Sequence, residues 1–207
     1  MTRQPVLHWF DFICPFCYIA QDRNRILRAA GVNVIDLPLQ IHPEIAVGGA
    51  PAPPRTGPMY DYLAEEAREA GLELNWSSRI PYSRLALAAA EAVRINAPDD
   101  HPAFNAAVFE AYFARGEDIG EWTVIARCAD DAGLEPFSFE YSMTSGIADN
   151  ELRFAEAQAR ERHIVSTPVW LVEGEQLIVG LRPRAYFMAL GRALTGADRH
   201  RDATLDR

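Results

Sequence analysis

Four residues near the amino end constrain this chain more than any others. An apolar stretch, Val6 to Ile13, stops at Cys14; Pro15 follows at once, then Phe16 and Cys17. Proline suits the first helical position, where its missing N–H costs nothing, so the pattern predicts a strand that ends at Cys14 and a helix that begins at Pro15. Cys14 then falls at the N-cap, where free backbone N–H groups and the positive end of the helix dipole favour thiolate over thiol. Residues three apart share a helix face, and that separation lies within the reach of a disulfide. The expected picture is one exposed, acidic sulfur with a second, partly buried one a turn along.

The rest of the chain limits what such a dithiol can belong to. The sequence has 207 residues, 49% hydrophobic and 24% charged, which suits one sizeable globular core. Net charge is −9 with no basic stripe, so a nucleic-acid partner is not expected. The pairs Arg23/Arg25 and Arg199/Arg201 read as solvated surface. All 20 basic residues are arginine, and the lack of lysine excludes a P-loop, a Schiff-base aldolase and a pyridoxal-phosphate enzyme. Three cysteines, Cys14, Cys17 and Cys128, cannot build a secreted disulfide framework. With no signal-peptide pattern and no membrane-length apolar run, the expected location is the cytoplasm.

Taken in order, the pattern predicts a strand over 6–13, a helix from about Pro15 to Ala30 ended by Gly31, and a strand over 32–41 in which Pro38 suggests an edge. One connecting helix argues a parallel strand pair with a right-handed crossover. Residues 42–58, rich in Pro, Gly and Ala, read as a loop. Helical periodicity then dominates over 59–70, 83–96, 102–115, 121–132, 137–143 and 146–163. Residues 168–172 and 176–179 flank Glu173-Gly174-Glu175 as a β-hairpin. A last helix covers 183–194, before a frayed tail. The order β-α-β, helices, β-β-α is an α/β, thioredoxin-like fold with a large all-helical insertion: core 1–45 and 164–196, insertion 58–163.

The run Asp11-x-x-Cys14-Pro15-Phe16-Cys17-Tyr18 and this order of elements resemble the DsbA-like thioredoxin superfamily. The aromatic Phe16 between the cysteines and Tyr18 after them are similar to its intracellular branch typified by FrnE. So are Ala111-Tyr112-Phe113, Gly116, Asp118-Ile119 and Ala132-Gly133-Leu134. The likeness covers nearly the whole chain as a single domain, 1–207. It implies a dithiol–disulfide oxidoreductase or isomerase acting on protein or small-molecule disulfides, with Cys14 as nucleophile and Cys17 as resolving thiol. It also implies a cis Thr167–Pro168 bond facing the dithiol, with Thr167 offering backbone groups to an extended substrate and its hydroxyl to the thiolate. Pro15 and Phe16 complete the substrate-facing set. Two departures from the pattern stand out: Ser166-Thr167 replace a common Gly-Val, and His163 stands where a glycine is frequent.

Each reading has a plainer rival. Cys14 and Cys17 could be two core cysteines or half a zinc site, but zinc needs four ligands and no second Cys or His pair is near in sequence, so no metal is expected. Asp11 reads equally as a buried carboxylate that takes the Cys17 proton or as a strand residue that reaches water or caps the helix. Cys128 reads as a small core hydrophobe. His8, His42, His101, His163 and His200 lack metal-ligand spacing; only His163 approaches the site. No cofactor is expected, with glutathione left open as a co-substrate and a homodimer left open as the assembly. Two other functions compete. One is a glutathione-dependent isomerase or transferase, of the 2-hydroxychromene-2-carboxylate isomerase or kappa class, whose members generally carry serine at the first position. The other is a binding module without catalysis.

Overall fold

Apolar side chains buried on both faces set the first strand, β1 (Val6–Phe10), which the computed structural model pairs in parallel with β2 (Val34–Pro38) in the register Val6↔Val34 to Phe10↔Pro38. The structure describes residues 4–135 and 137–196. Between these strands runs α1 (Pro15–Ala29), closed by Gly31, whose φ of +85° suits the left-handed turn a glycine accepts freely. β1 stops at Phe10 rather than at Ile13. Residues 11–13 already turn toward the helix, and the Cys14 N–H bonds the Asp11 carbonyl at 3.1 Å. β2 is likewise shorter than the expected 32–41, and Pro38, which lacks an N–H for a further ladder bond, ends it.

The sheet is completed from the far end of the chain. β5 (Val169–Val172) lies antiparallel to β1, and β6 (Gln176–Val179) antiparallel to β5, giving the order β2-β1-β5-β6 with β2 at an edge. The hairpin turn, Glu173–Glu175, is a single 3₁₀ turn. α8 (Arg184–Thr195) follows and packs on α1, at a point where Gly191 leaves room: a Cβ there would come 2.8 Å from the Ala30 Cβ.

The intervening chain holds α2 (Pro58–Ala70), α3 (Arg84–Asn96), α4 (His101–Phe113), α5 (Trp122–Asp131), α6 (Phe137–Thr144) and α7 (Ile147–Glu161). The stretch read as loop contains β3 (Ala50–Pro51), paired antiparallel with β4 (Arg79–Ile80). Two-residue strands carry too little periodicity to be seen in sequence. Gly49 permits the pairing, since a Cβ there would sit 2.4 Å from the Ile80 carbonyl oxygen.

One apolar cluster occupies the space among α3 to α6 and reaches the amino end of α1, enclosing Phe10, Phe12, Cys14, Cys17 and Phe109. Another lies under α1 and α8 around Ala20, Leu27, Trp170 and Phe187. A third, with Trp9, Leu37, Ala155 and Val169, joins the opposite sheet face to α7. Burial of each large side chain in these clusters contributes about 1.5–3 kcal/mol. Arg23, expected at the surface, is fully buried: it donates to Asp22 at 2.9 Å, to the Arg182 carbonyl at 3.1 Å and to Glu66. A guanidinium is tolerated there because its donors are met by carboxylates and a carbonyl. Arg199, Arg201, His200 and the tail from residue 197 lie outside the described residues. No described helix is long and apolar enough to cross a membrane.

Candidate dithiol site

Cys14 is the N-cap residue of α1, with extended backbone (φ −84°, ψ 114°), and Pro15 opens the helix behind it. Cys14 and Cys17 are both free thiols. The Cys14 sulfur lies 3.4 Å from the Thr167 carbonyl oxygen, to which the thiol donates. The Thr167–Pro168 peptide bond is cis. Residues 153 positions apart thus meet because β1 and β5 are neighbours in the sheet. One delivers the start of α1 and the other the Thr-Pro bend to the same end.

The electrostatics separate the two thiols. Cys14 is held below its ordinary pKa of 9.0 chiefly by a hydrogen bond from the Cys17 thiol. Burial opposes this, and the Thr167 hydroxyl and the Cys17 backbone N–H reinforce it. Cys17 is pushed well above the same value by burial first, then by its bond to Cys14 and the Cys14 charge. Cys14 therefore loses its proton more readily than Cys17 does. The Thr167 hydroxyl is buried beside the dithiol and helps lower the pKa of both thiols.

One expectation is corrected. Cys14 is not exposed: it is 5% accessible, and Cys17 is 0%. The Cys14 sulfur is turned against the Thr167 carbonyl, and its side chain belongs to the same apolar cluster as Phe12 and Ile45. Pro15 and Phe16 are half-buried beside it, as is Thr167, while Val165 and Ser166 stand fully in solvent. Phe16 also packs toward the Ile19 and Leu63 cluster.

Asp11 neither reaches water nor caps α1. It is fully buried, and its carboxylate accepts the Ile41 N–H at 2.9 Å and the Ile13 N–H at 3.3 Å. Burial pushes its pKa from 3.8 up to about 6, against the pull of those two bonds and of the nearby Ser83 hydroxyl. Cys128 is a core residue. Its thiol donates to the Ala107 carbonyl at 3.6 Å, and burial pushes its pKa up to about 11. His163 does not enter the dithiol site. It ends α7 with φ +55°, its N–H bonding the Arg160 carbonyl at 3.0 Å, in the left-handed position a glycine usually fills. His42 pairs with Glu44 on the surface at 2.8 Å.

A buried polar network escaped the sequence reading. His8 Nδ1 meets Asp36 Oδ1 at 2.7 Å, Asn24 Nδ2 donates to the same oxygen at 2.9 Å, and Trp170 Nε1 donates to Asn24 Oδ1 at 2.7 Å. Arg28 binds the other Asp36 oxygen at 2.7 Å. Burial alone would raise the Asp36 pKa, but its bond from His8 and the charges of His8 and Arg28 hold it well below the carboxylate range. The available signal was one polar residue in each of two apolar strands, at positions that pair in parallel register, His8↔Asp36.

Comparison with known proteins agrees with the fold. A family model, the DSBA-like thioredoxin domain, matches residues 5–190. The crystal structure of a probable DsbA oxidoreductase from Streptomyces coelicolor superposes with a TM-score of 0.77 at 21% identity, covering 93% of this chain and 90% of that one. A 2-hydroxychromene-2-carboxylate isomerase gives 0.71 at 20% identity, covering 98% and 99%. The cytosolic disulfide reductase DsbM of Pseudomonas aeruginosa, solved with glutathione, gives 0.65 at 15% identity, covering 95% and 100%.

Proposed function

The chain belongs to the DSBA-like thioredoxin family, and from that premise we propose that it is a thiol–disulfide oxidoreductase working through Cys14 and Cys17. The observation that carries this reading is the Cys14 sulfur at the head of α1, 3.4 Å from the carbonyl of Thr167, with a protonated neighbour one turn along. In the first step the Cys14 thiolate attacks one sulfur of a substrate disulfide. A Cys14–substrate disulfide forms and the other substrate sulfur leaves as a thiolate. In the second step Cys17 gives up its proton and attacks the Cys14 sulfur. The Cys14–Cys17 disulfide forms and the second substrate thiolate leaves, so the substrate gains two electrons and the protein loses two. Run backwards, the same steps oxidise a dithiol.

Asp11 is the group suited to take the Cys17 proton, because its pKa near 6 lets it hold a proton transiently at neutral pH. Thr167 turns its carbonyl toward the nucleophile, and its buried hydroxyl is available to the thiolate. Attack requires the Cys14 sulfur to turn away from the Thr167 carbonyl, since Cys14 is nearly sealed in this state. Glutathione is a reasonable reductant for the resulting disulfide, as DsbM was solved with it. A cytoplasmic location fits a site that works from free thiols, and cell fractionation tests it.

Reduction of insulin by glutathione tests the assignment. Turnover is expected with the native chain and absent with Cys14→Ser; undiminished turnover in that variant would refute it. Cys17→Ala is expected to stall as a Cys14 mixed disulfide, visible as added substrate mass. The likeness to an isomerase fold favours a second reading, glutathione-dependent isomerisation. That reading requires activity to survive Cys17→Ala.

A further inference from the structure

We propose that Ser83 is a positioning residue for the second step of the exchange. Its buried hydroxyl donates to the Asp11 carboxylate, and turns to accept from the Asp11 carboxyl once that group has taken the Cys17 proton. The role rests on the dithiol mechanism, which needs a place for that proton.

Three segments close around the Asp11 side chain. The turn after β1 supplies the Ile13 N–H at 3.3 Å, the chain leaving β2 supplies the Ile41 N–H at 2.9 Å, and the head of α3 supplies Ser83. Ser83 is 1% accessible and is the N-cap residue of α3. A serine at that position usually spends its hydroxyl on the first turn of its own helix. This one makes no such bond, and among the described residues no hydrogen bond commits its oxygen elsewhere. It lies close enough to the Asp11 carboxyl to stabilise the charge there. The Asp11 backbone N–H in turn acts on the Cys17 sulfur, so the acid adjoins the thiol it serves.

The inventory of donors and acceptors gives the hydroxyl its task. An amide N–H can only donate, so the Ile13 and Ile41 bonds serve the carboxylate and offer nothing to a carboxylic O–H. A hydroxyl does both. With Asp11 ionised, the Ser83 O–H points at the carboxylate. With Asp11 protonated, the acid O–H points at Ser83 Oγ, and no buried donor is stranded. In the exchange, the Cys17 proton passes to Asp11 as the Cys17–Cys14 bond forms and the Cys14–substrate bond breaks. The departing substrate thiolate then takes that proton, and Ser83 neither gains nor loses one. The other titratable groups that act on Asp11 have other tasks. Cys14 on α1 is the sulfur under attack, His42 after β2 pairs with Glu44 at 2.8 Å, and Tyr112 on α4 donates to the Arg79 carbonyl at 3.2 Å.

The test is stopped-flow reaction of the full reduced chain, carrying Cys128→Ala so that only two thiols report, with a bis(carboxynitrophenyl) disulfide. Each half of that reagent leaves as a coloured thiolate, so the first phase reports attack by Cys14 and the second reports attack by Cys17. Ser83→Ala is expected to slow the second phase about tenfold at neutral pH, the loss of one hydrogen bond to a charged group, and to leave the first within about twofold. It is also expected to move the half-rate point of the second phase to higher pH, because the carboxylate that accepts the proton loses a stabilising donor. Ser83→Thr, which keeps the hydroxyl, is expected to restore both the rate and the pH profile. Asp11→Asn is expected to slow the second phase as well, and adding Ser83→Ala to it is expected to change nothing further. A second phase in Ser83→Ala with the parent rate and pH profile would overturn the proposal. So would equal slowing of both phases, an unslowed second phase in Asp11→Asn, or the same slowing by Ser83→Ala when Asp11 is already replaced. Each of these leaves the dithiol mechanism standing, whereas absence of a second phase in the parent chain would overturn that mechanism and the proposal with it.

Discussion

Replacing Asp11 by asparagine removes a buried charge while keeping the shape. The carboxyl pKa stands at about 6 against an ordinary 3.8, a gap of roughly 2 pK units or about 3 kcal/mol of destabilisation once ionised. The group is fully buried, so solvent does not screen the effect. Against this, an asparagine oxygen accepts only one of the two N–H groups now bound, at a loss of about 1–2 kcal/mol. The variant is therefore expected to be more stable than the native chain by about 1–2 kcal/mol near about pH 7. A carboxyl whose folded pKa is raised weakens the fold above that pKa, and the weakness is relieved as pH falls through about 6 toward 3.8. The variant's advantage should thus shrink by roughly 2–3 kcal/mol between about pH 7 and about pH 4. His101 runs the other way. Burial lowers its pKa from 6.5 to about 4, so its contribution is full above 6.5 and is lost as pH falls toward 4. In the native chain the two trends offset each other; in Asp11→Asn the Asp11 offset is gone and stability should fall more steeply over that window. Urea unfolding at both pH values, with a phosphine reductant keeping the thiols free, measures this. An offset between variant and native chain that is the same at both pH values would refute the assignment of a high carboxyl pKa to Asp11.

Thr167→Val removes the hydroxyl that acts on both sulfurs. It is expected to raise the Cys14 pKa and so to slow iodoacetamide labelling at neutral pH, with little change in urea stability. His163→Gly relieves a left-handed residue at the end of α7. It is expected to stabilise the fold by about 0.5–1 kcal/mol, read by thermal unfolding, with insulin reduction unchanged because His163 lies outside the dithiol site. Gly191→Ala should cost about 1–3 kcal/mol, because the new methyl meets Ala30 where α8 crosses α1.

What could be read from the sequence was what one residue decides for its neighbours. Pro15 after Cys14 sets a helix start, and Thr167-Pro168 before an apolar strand sets a bend, so the head of α1 and the start of β5 could be placed without coordinates. The hairpin strand Gln176–Val179 and the starts and ends of most helices agree to within two residues. What could not be read depends on contacts between distant segments. The burial of Cys14 arises from a carbonyl 153 residues away. Arg23 looks like a surface residue until Glu66 and the Arg182 carbonyl close around it. β3 and β4 are too short to show a period. His8 and Asp36 are each a single polar residue in an apolar strand, and only their shared register makes them a pair.

The central claim is that the peptide groups at the head of α1, the Cys17 thiol and the Thr167 hydroxyl make Cys14 a stable thiolate. Titration of its ultraviolet thiolate absorbance, with Cys14→Ser and Cys128→Ala as references, tests this most directly. The account predicts a transition below 9.0 that disappears in Cys14→Ser and persists in Cys128→Ala. A Cys14 transition at or above 9.0 would contradict it.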